Sequence, residues 1–401
     1  MKRALPVRLS DLRGIHRLAS DATVGITDLV ESMHHTIQRT PGPLGTAPGG
    51  RTRGITGFVY RTVRGITRLI GGGVDELLGR LGALIDDEHS SPAREAALAA
   101  LNGVLGDYLA ASGNPLAIPM GLRAAGAPLP LAKAALTAAF PQPSTHVVVL
   151  VHGLCMNPLQ WMRNGHDHGA ALARDTGCTP LYLHYNTGRH ISENGRDFAA
   201  VVDALWRAWP HPIEQLTLIG HSMGGLVARS ACHYASVAGQ PWIGRLAHLV
   251  CLGTPHLGAP LERAGKWADY LIGISPYSAP FARLGKVRSA GVQDLGHGYL
   301  RDEDWSADAG RHRGAVPAAV VLPAGASCCA IAACRHERPR AATTKPRGDG
   351  WVPVDSALGR HKDPARDVGF PPDHQWIGYG MGHFDLLDDA ETYARIRRWL
   401  D

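Results

Sequence analysis

The run Gly220-His221-Ser222-Met223-Gly224 sets a serine where it can act as a nucleophile. The apolar stretch Leu216-Thr217-Leu218-Ile219 precedes it and Gly225-Leu226-Val227-Ala228-Arg229 follows. That order reads as buried strand, sharp turn and helix, and a serine on such a turn presents its hydroxyl above a sheet. The flanking glycines follow from sterics, because a side chain there would collide where strand turns directly into helix. The helix that begins behind the serine points its free N–H groups and the positive end of its dipole at the reacting centre.

A serine hydroxyl attacks only when a base takes its proton, and histidine is the usual base because its pKa lies near neutrality. The chain has 21 histidines, so position must choose among them. On a strand–turn–helix nucleophile the partners follow in the order serine, acid, histidine. His383 stands in Gly380-Met381-Gly382-His383-Phe384-Asp385, after the last strand candidate and before the last helix. His361, in a polar run, and His374, just before a strand, read as surface or structural residues. The acid that orients the imidazole is expected at Asp349, in the Gly-flanked turn Arg347-Gly348-Asp349-Gly350-Trp351-Val352-Pro353. Asp355 is its rival, with helix capping before Ala357-Leu358 as the other reading of that residue. The oxyanion needs two donors, and backbone N–H groups of Leu154, in the loop after an apolar strand, and Met223, next to the serine, are placed to supply them. His152, beside that loop, reads as a structural hydrogen-bonding residue.

These residues need a sheet to hold them, and from His146 onward strand and helix patterns alternate. Strands are expected at Val147–Val151, Leu181–His184, Leu216–Ile219, His248–Leu252, near Cys329–Ala333, and at Gln375–Gly378. Helices are expected near His166–Asp175, Gly195–Ala208, Met223–Ala238 and Asp388–Leu400. Residues 116–145 are apolar and broken by prolines; the first strands of the sheet are expected there without clear limits. The stretch from Leu252 to Cys328 has no strand rhythm and contains Trp267, Tyr270, Leu271, Ile272, Tyr277 and Phe281. Its length points to a cap or lid, roughly residues 256–325. The loop Tyr185–Ile191 follows a strand's carboxyl end, where ligands collect in open sheets. Arg189 within it reads either as a contact for an anionic head group or as a solvated loop residue.

The 401 residues carry 41 Lys+Arg against 35 Asp+Glu, a net charge of +6. Residues 1–85 hold 12 basic and 6 acidic side chains, so the remainder balances at 29 of each. That basic region repeats itself at 11-residue spacing: Arg13-Gly14-Ile15 and Val24-Gly25-Ile26, then Arg53-Gly54-Ile55 and Arg64-Gly65-Ile66. Eleven residues is close to three helical turns, so two long helices are expected, joined by the linker 41–50. In the second, Ile55, Phe58, Val59, Ile66, Leu69 and Ile70 form one stripe, with Arg53, Arg61, Arg64 and Arg68 opposite. Such a hairpin either packs its stripe on the catalytic domain or lies on an anionic membrane surface. Residues 1–112 are therefore read as a helical N-terminal region, including a helix at 92–111, and 113–401 as the catalytic domain. No nucleic-acid partner is expected.

The start has no apolar stretch long enough for a signal peptide, and no apolar run is long enough to span a bilayer. A cytoplasmic protein is the expectation, with peripheral membrane attachment open. Seven cysteines, without a C-x-x-C pair, suit buried free thiols in a reducing compartment. Cys328, Cys329, Cys334 and His336 match no standard zinc spacing.

Taken together, His152-Gly153-Leu154, Gly220–Arg229 and Leu252-Gly253-Thr254-Pro255-His256-Leu257-Gly258-Ala259-Pro260 resemble the lipase-type α/β-hydrolases. They are similar to bacterial triacylglycerol lipases and to GPI inositol-deacylase-like lipases. Gly348-Asp349-Gly350 and Gly382-His383 resemble the acid and histidine segments of the same group, and the likeness spans roughly residues 146–401. It implies an α/β-hydrolase fold, mostly parallel, with a mobile cap and a Ser-His-Asp triad that cleaves carboxylic esters without cofactor or metal. In that group the histidine of the Gly-Thr-Pro-His segment is not the base, so His256 is read as positioning its loop. The aromatic cap suggests an apolar acyl ester or lipid as substrate. Two other readings stay open: the same triad passing the acyl group to an alcohol, and a non-catalytic lipid- or membrane-binding protein on this scaffold.

Overall fold

The computed structural model describes residues 10, 12–24, 92–259, 288–306, 319–337 and 347–400. The second helix of the N-terminal hairpin and the aromatic run Trp267–Phe281 lie outside the described residues. The chain divides into two compact units, Met1–Arg94 with Ala111–Ala117, and Glu95–Ala110 with Ile118–Asp401.

In the smaller unit residues 12–24 are helical. Its close contact is made by Gly14 rather than by the apolar series: Gly14 is buried against the Leu116 side chain, while Ile15 is 55% exposed. Asn114 Nδ2 donates to Gly14 O at 3.1 Å and Arg17 Nη1 to Gly113 O at 2.9 Å, so one backbone carbonyl and one side chain of the helix bind the 113–114 turn.

The larger unit is built on residues 95–110 of α1 (Pro92–Ala111), β1 (Gly121–Ala124), β2 (Ala127–Leu129), α2 (Lys133–Ala139), β3 (His146–Val151), α3 (His168–Thr176), β4 (Thr179–His184), α4 (Ile191–Ala208), β5 (Gln215–His221) and α5 (Met223–Val237). It continues with β6 (Leu246–Leu252), α6 (Ala290–His297), α7 (Asp302–Trp305), β7 (Ser327–Cys334), α8 (Val354–Ala357), β8 (Gln375–Tyr379) and α9 (Ala390–Leu400). One eight-stranded sheet runs in the order β2-β1-β4-β3-β5-β6-β7-β8. The pairs from β4 to β8 are parallel, and the β1–β2 hairpin joins β4 antiparallel.

Burial on both faces explains why the central strands read as continuous apolar runs. Along β3, Val147, Val149 and Val151 enter the core on one face with Phe198, Val202, Leu226 and Val227 of α4 and α5. Val148 and Leu150 enter the other with Leu172 of α3 and Ile396 of α9. The cysteines of β7 alternate in the same way, Cys328 and Cys334 on one face and Cys329 on the other. All seven cysteines are buried free thiols. Among the described residues no helix is long and apolar enough to cross a membrane, and no group of three or more His, Cys, Asp or Glu could hold a metal.

The β1–β2 hairpin hid within 116–145 because its turn is Ala125-Gly126, at φ 48° and 81°. Two positive φ values make a turn that suits right-twisted strands, but Ala at the first of them is an unusual signal. Pro128 sits on β2, at the sheet edge, where its missing N–H costs no ladder bond.

Register brings the strand ends together. Val151 pairs with Gly220, His221 with Leu252 and Leu252 with Ile331, so the loops after β3, β5, β6 and β7 open at one edge. The crossover from β5 into α5 leaves no room for a side chain at 224: a Cβ there would overlap the carbonyl oxygen of Val151 and lie 2.7 Å from that of His152. Gly224→Ala is expected to cost roughly 3 kcal/mol of stability, because both obstacles are backbone, at the end of β3 and the residue after it. Thermal unfolding of the variant measures it; an unchanged melting temperature would contradict this tight crossover.

Candidate active site

Ser222 links the last residue of β5 to the first of α5 with φ 55° and ψ −122°, a region that a side chain enters only under strain. Hydrogen bonds on both sides hold it there. Its N–H donates to Leu252 O at 2.8 Å, and its carbonyl accepts from Gly225 N–H at 3.1 Å. The residue is 2% exposed.

The loop after β3 passes directly beside it, since a Cβ on Gly153 would lie 3.1 Å from Ser222 Cβ. Leu154, one residue further on, and Met223, one residue after the serine, are both fully buried. The loop is pinned from several directions. Met156 N–H donates to Gly153 O at 3.2 Å, and Cys155, at φ 58°, donates its N–H to Thr187 Oγ1 at 3.1 Å. His152 Nδ1 bonds Gly153 O at 3.0 Å, its ring stacks on Tyr185 at 4.5 Å, and its carbonyl accepts from Tyr185 Oη at 2.8 Å. Burial pushes the His152 pKa down to about 3, so the ring is neutral and Nδ1 is the donor.

His383 and Asp349 form one buried pair: His383 Nδ1 donates to Asp349 Oδ2 at 2.6 Å, and each residue is 1% exposed. The other carboxylate oxygen, Oδ1, accepts from Trp351 N–H at 2.9 Å and Val352 N–H at 2.8 Å. Gly348 and Gly350, at φ 121° and 103°, fold the turn that turns this short side chain inward. Asp355 is exposed in the first turn of α8, so Asp349 is the carboxylate that His383 reaches. The His361 and His374 side chains are part-exposed and far from this pair in the hydrogen-bond network.

Serine and histidine converge over the end of β6. Ser222 is tied to Leu252, and the next residue, Gly253, is so close to the imidazole that a Cβ would lie 3.1 Å from His383 Cε1. His221 adds a link that sequence reading missed. Its Nε2 donates to His383 O at 3.1 Å with the two rings 4.7 Å apart. Burial, then the neighbouring His383, holds the His221 pKa well below its ordinary value, so it is a neutral donor. No local pattern announces a contact between residues 162 apart. Trp351 meets the His383 ring edge-on at 5.5 Å.

The flanking loops are settled by ion pairs. Arg189 pairs with Glu193 at 3.2 Å and Asp197 at 2.6 Å, so its charge is spent within the protein. His190 bonds Asp294 at 3.0 Å and stacks on Trp305 at 3.6 Å, joining the start of α4 to α6 and α7 of the expected cap. Burial opposes charge on His190, but the bond to Asp294 and the nearby carboxylates outweigh it, and its pKa is raised.

Comparison with known proteins places this arrangement. Residues 142–313 match the family described as PGAP1-like alpha/beta domain. No curated protein matches the chain. Among solved structures, the mature lipase BlEst2 of Bacillus licheniformis is similar at 17% identity and TM-score 0.41, over 63% of this chain and 91% of that one. The Pyrococcus furiosus esterase Pf2001 is 14% identical at TM-score 0.38, over 64% and 82%. The Staphylococcus hyicus lipase is 13% identical at TM-score 0.35, over 64% and 96%. With a mostly parallel sheet flanked on both faces and a strained serine between β5 and α5, the chain has an α/β-hydrolase fold, and its residues 142–313 match the PGAP1-like alpha/beta domain.

Proposed function

We propose that the protein is a serine hydrolase of carboxylic esters, acting on lipids or other apolar acyl substrates. The observation that carries this reading is the buried His383–Asp349 bond beside the strained Ser222 turn. Ser222 Oγ attacks the ester carbonyl while His383 Nε2 takes its proton. Asp349 holds the ring with Nδ1 protonated and stabilises the imidazolium as it forms. The oxyanion is received by the N–H groups of Leu154 and Met223, the second backed by the N-terminus of α5. His383 then returns the proton to the leaving alcohol. Water enters by the same route in reverse and frees the acid, so the cycle consumes one water and no cofactor.

A strained backbone at one non-glycine residue is costly, and it persists where the surrounding structure over-determines it. Here a β6 carbonyl, the β3 loop and the first turn of α5 all constrain Ser222, which suits a nucleophile positioned before substrate arrives. The test is a series of neutral esters of graded acyl length, assayed with and without an added short alcohol. Free carboxylic acid is expected as the main product throughout, with kcat/KM rising with chain length. A new ester as the main product would instead make the protein an acyltransferase.

A further inference from the structure

Arg229 lies on α5 two turns beyond Ser222 and is 3% exposed. One of its Nη groups donates to Val320 O at 2.7 Å and the other to His256 Nδ1 at 3.1 Å. Among the described residues no carboxylate pairs with it, and three of its five N–H groups have no protein acceptor. A buried cation without a counter-charge is an expensive arrangement unless something else supplies that charge.

The tautomer of His256 sharpens the point. A guanidinium can only donate, so His256 Nδ1 must accept from Arg229. Burial, then the charge of Arg229, holds the ring neutral. Its one proton therefore sits on Nε2, and that N–H is buried with no acceptor. Buried donors in folded proteins are satisfied, and an exception calls for an absent partner.

Arg229 and His256 line one pocket with His297, Asp304 and Arg366. The acidic residue does not neutralise it. Asp304 Oδ1 is taken by the Arg301 guanidinium at 2.9 Å, and Oδ2 by the N–H groups of Leu300 and Arg301, each at 2.9 Å. Arg366 makes no ion pair among the described residues. Arg229 on α5, Arg366 in the loop between α8 and β8, and His256, with its unpaired imidazole N–H, in the loop after β6 thus line the same pocket.

We propose that this pocket binds a phosphate group. Three elements each bring a donor, which suits the several oxygens of a phosphate better than the two of a carboxylate, and two arginines match its charge. The site is independent of the ester chemistry proposed above, since none of its residues takes part in that reaction. The same phosphate chemistry can come from a lipid head group or from free phosphate.

Calorimetric titration of the full-length Ser222→Ala chain with inorganic phosphate, at matched ionic strength against chloride, tests binding without reference to turnover. Saturable binding is expected. Arg366→Gln should weaken it by about tenfold, the worth of one charge-assisted hydrogen bond. Arg366→Gln should keep the parent's melting temperature in chloride and, made in the otherwise wild-type enzyme, its hydrolysis of a short neutral ester, which separates lost binding from lost folding. The His256 Nε2 proton resonance should shift on phosphate addition. In the otherwise wild-type enzyme, Arg366→Gln should raise KM for a micellar glycerophospholipid but not for the matching diacylglycerol if the head group is the occupant. If both KM values are unchanged while the titration is still weakened, the occupant is free phosphate. No saturable binding, or equal binding by wild type and Arg366→Gln, would overturn the proposal and leave water as the partner of His256.

Discussion

Ser222→Ala is expected to lower kcat for a neutral ester by about four to six orders of magnitude. The loss should fall on kcat, with KM little changed, because the hydroxyl contributes bonding only as the acyl-enzyme forms. The variant should also fold at least as well as the parent. The residue is buried with φ 55°, and the strain lies in the backbone rather than in the hydroxyl. Steady-state kinetics and a thermal melt on the same preparation separate these effects. A variant that melts normally and retains a tenth or more of the parent's activity would remove Ser222 from the chemistry.

Asp349→Asn is expected to lower kcat by about ten-thousandfold. The amide fits the same space, but its NH2 group cannot accept His383 Nδ1–H as the carboxylate does, and the opposite tautomer is favoured. Oδ1 also accepts two backbone N–H groups, from Trp351 and Val352, which pins the amide oxygen and leaves the nitrogen facing the imidazole. Asp355→Asn, at an exposed position in α8, should stay within about twofold of the parent. Measured side by side, the two asparagine variants discriminate the acids; a larger loss at 355 would transfer the role there.

Much of this arrangement is legible in the amino-acid sequence, for physical reasons that differ from part to part. The strands β3, β5, β6 and β7 stand out because burial on both faces favours apolar runs, and helices α3, α4, α5 and α9 through their helical spacing, whereas α6, α7 and α8 lie in stretches where no helix is expected. Ser222 was visible through its context, and Asp349 through two glycines that have no purpose except a backbone bend. The strand limits fell short by one or two residues, as at Gln215 and His221, where the ladder continues into polar positions.

What stayed hidden depends on contacts between distant segments. The carbonyl of His383 meets His221 only after β5 and the last loop are brought together. Cys155 takes a left-handed backbone in the loop beside the serine, although a cysteine carries no signal for it. Helix α1 reads from the sequence as an Ala-rich helix with Leu101, Val104, Leu105 and Leu109 on one face; Val104 and Leu109 are buried, Leu101 and Leu105 only partly. Its closest packing is made by glycines instead. A Cβ on Gly103 would overlap Cys155 Sγ, and one on Gly106 would overlap the Asn186 side chain, so α1 supports two of the loops around the site. The buried Asn102, which accepts Ile118 N–H at 2.9 Å, belongs to the same face. Gly and Asn at such positions look like weak helix formers until their partners are known.

An activated Ser222 with His383 as its base has a covalent signature. The most direct measurement is to treat the purified full-length protein with a fluorophosphonate and map the adduct by mass spectrometry of its peptides. A single stoichiometric adduct on Ser222 is expected, abolished by prior unfolding and by His383→Ala. An adduct on another residue, or labelling of Ser222 that is undiminished in His383→Ala, would contradict it.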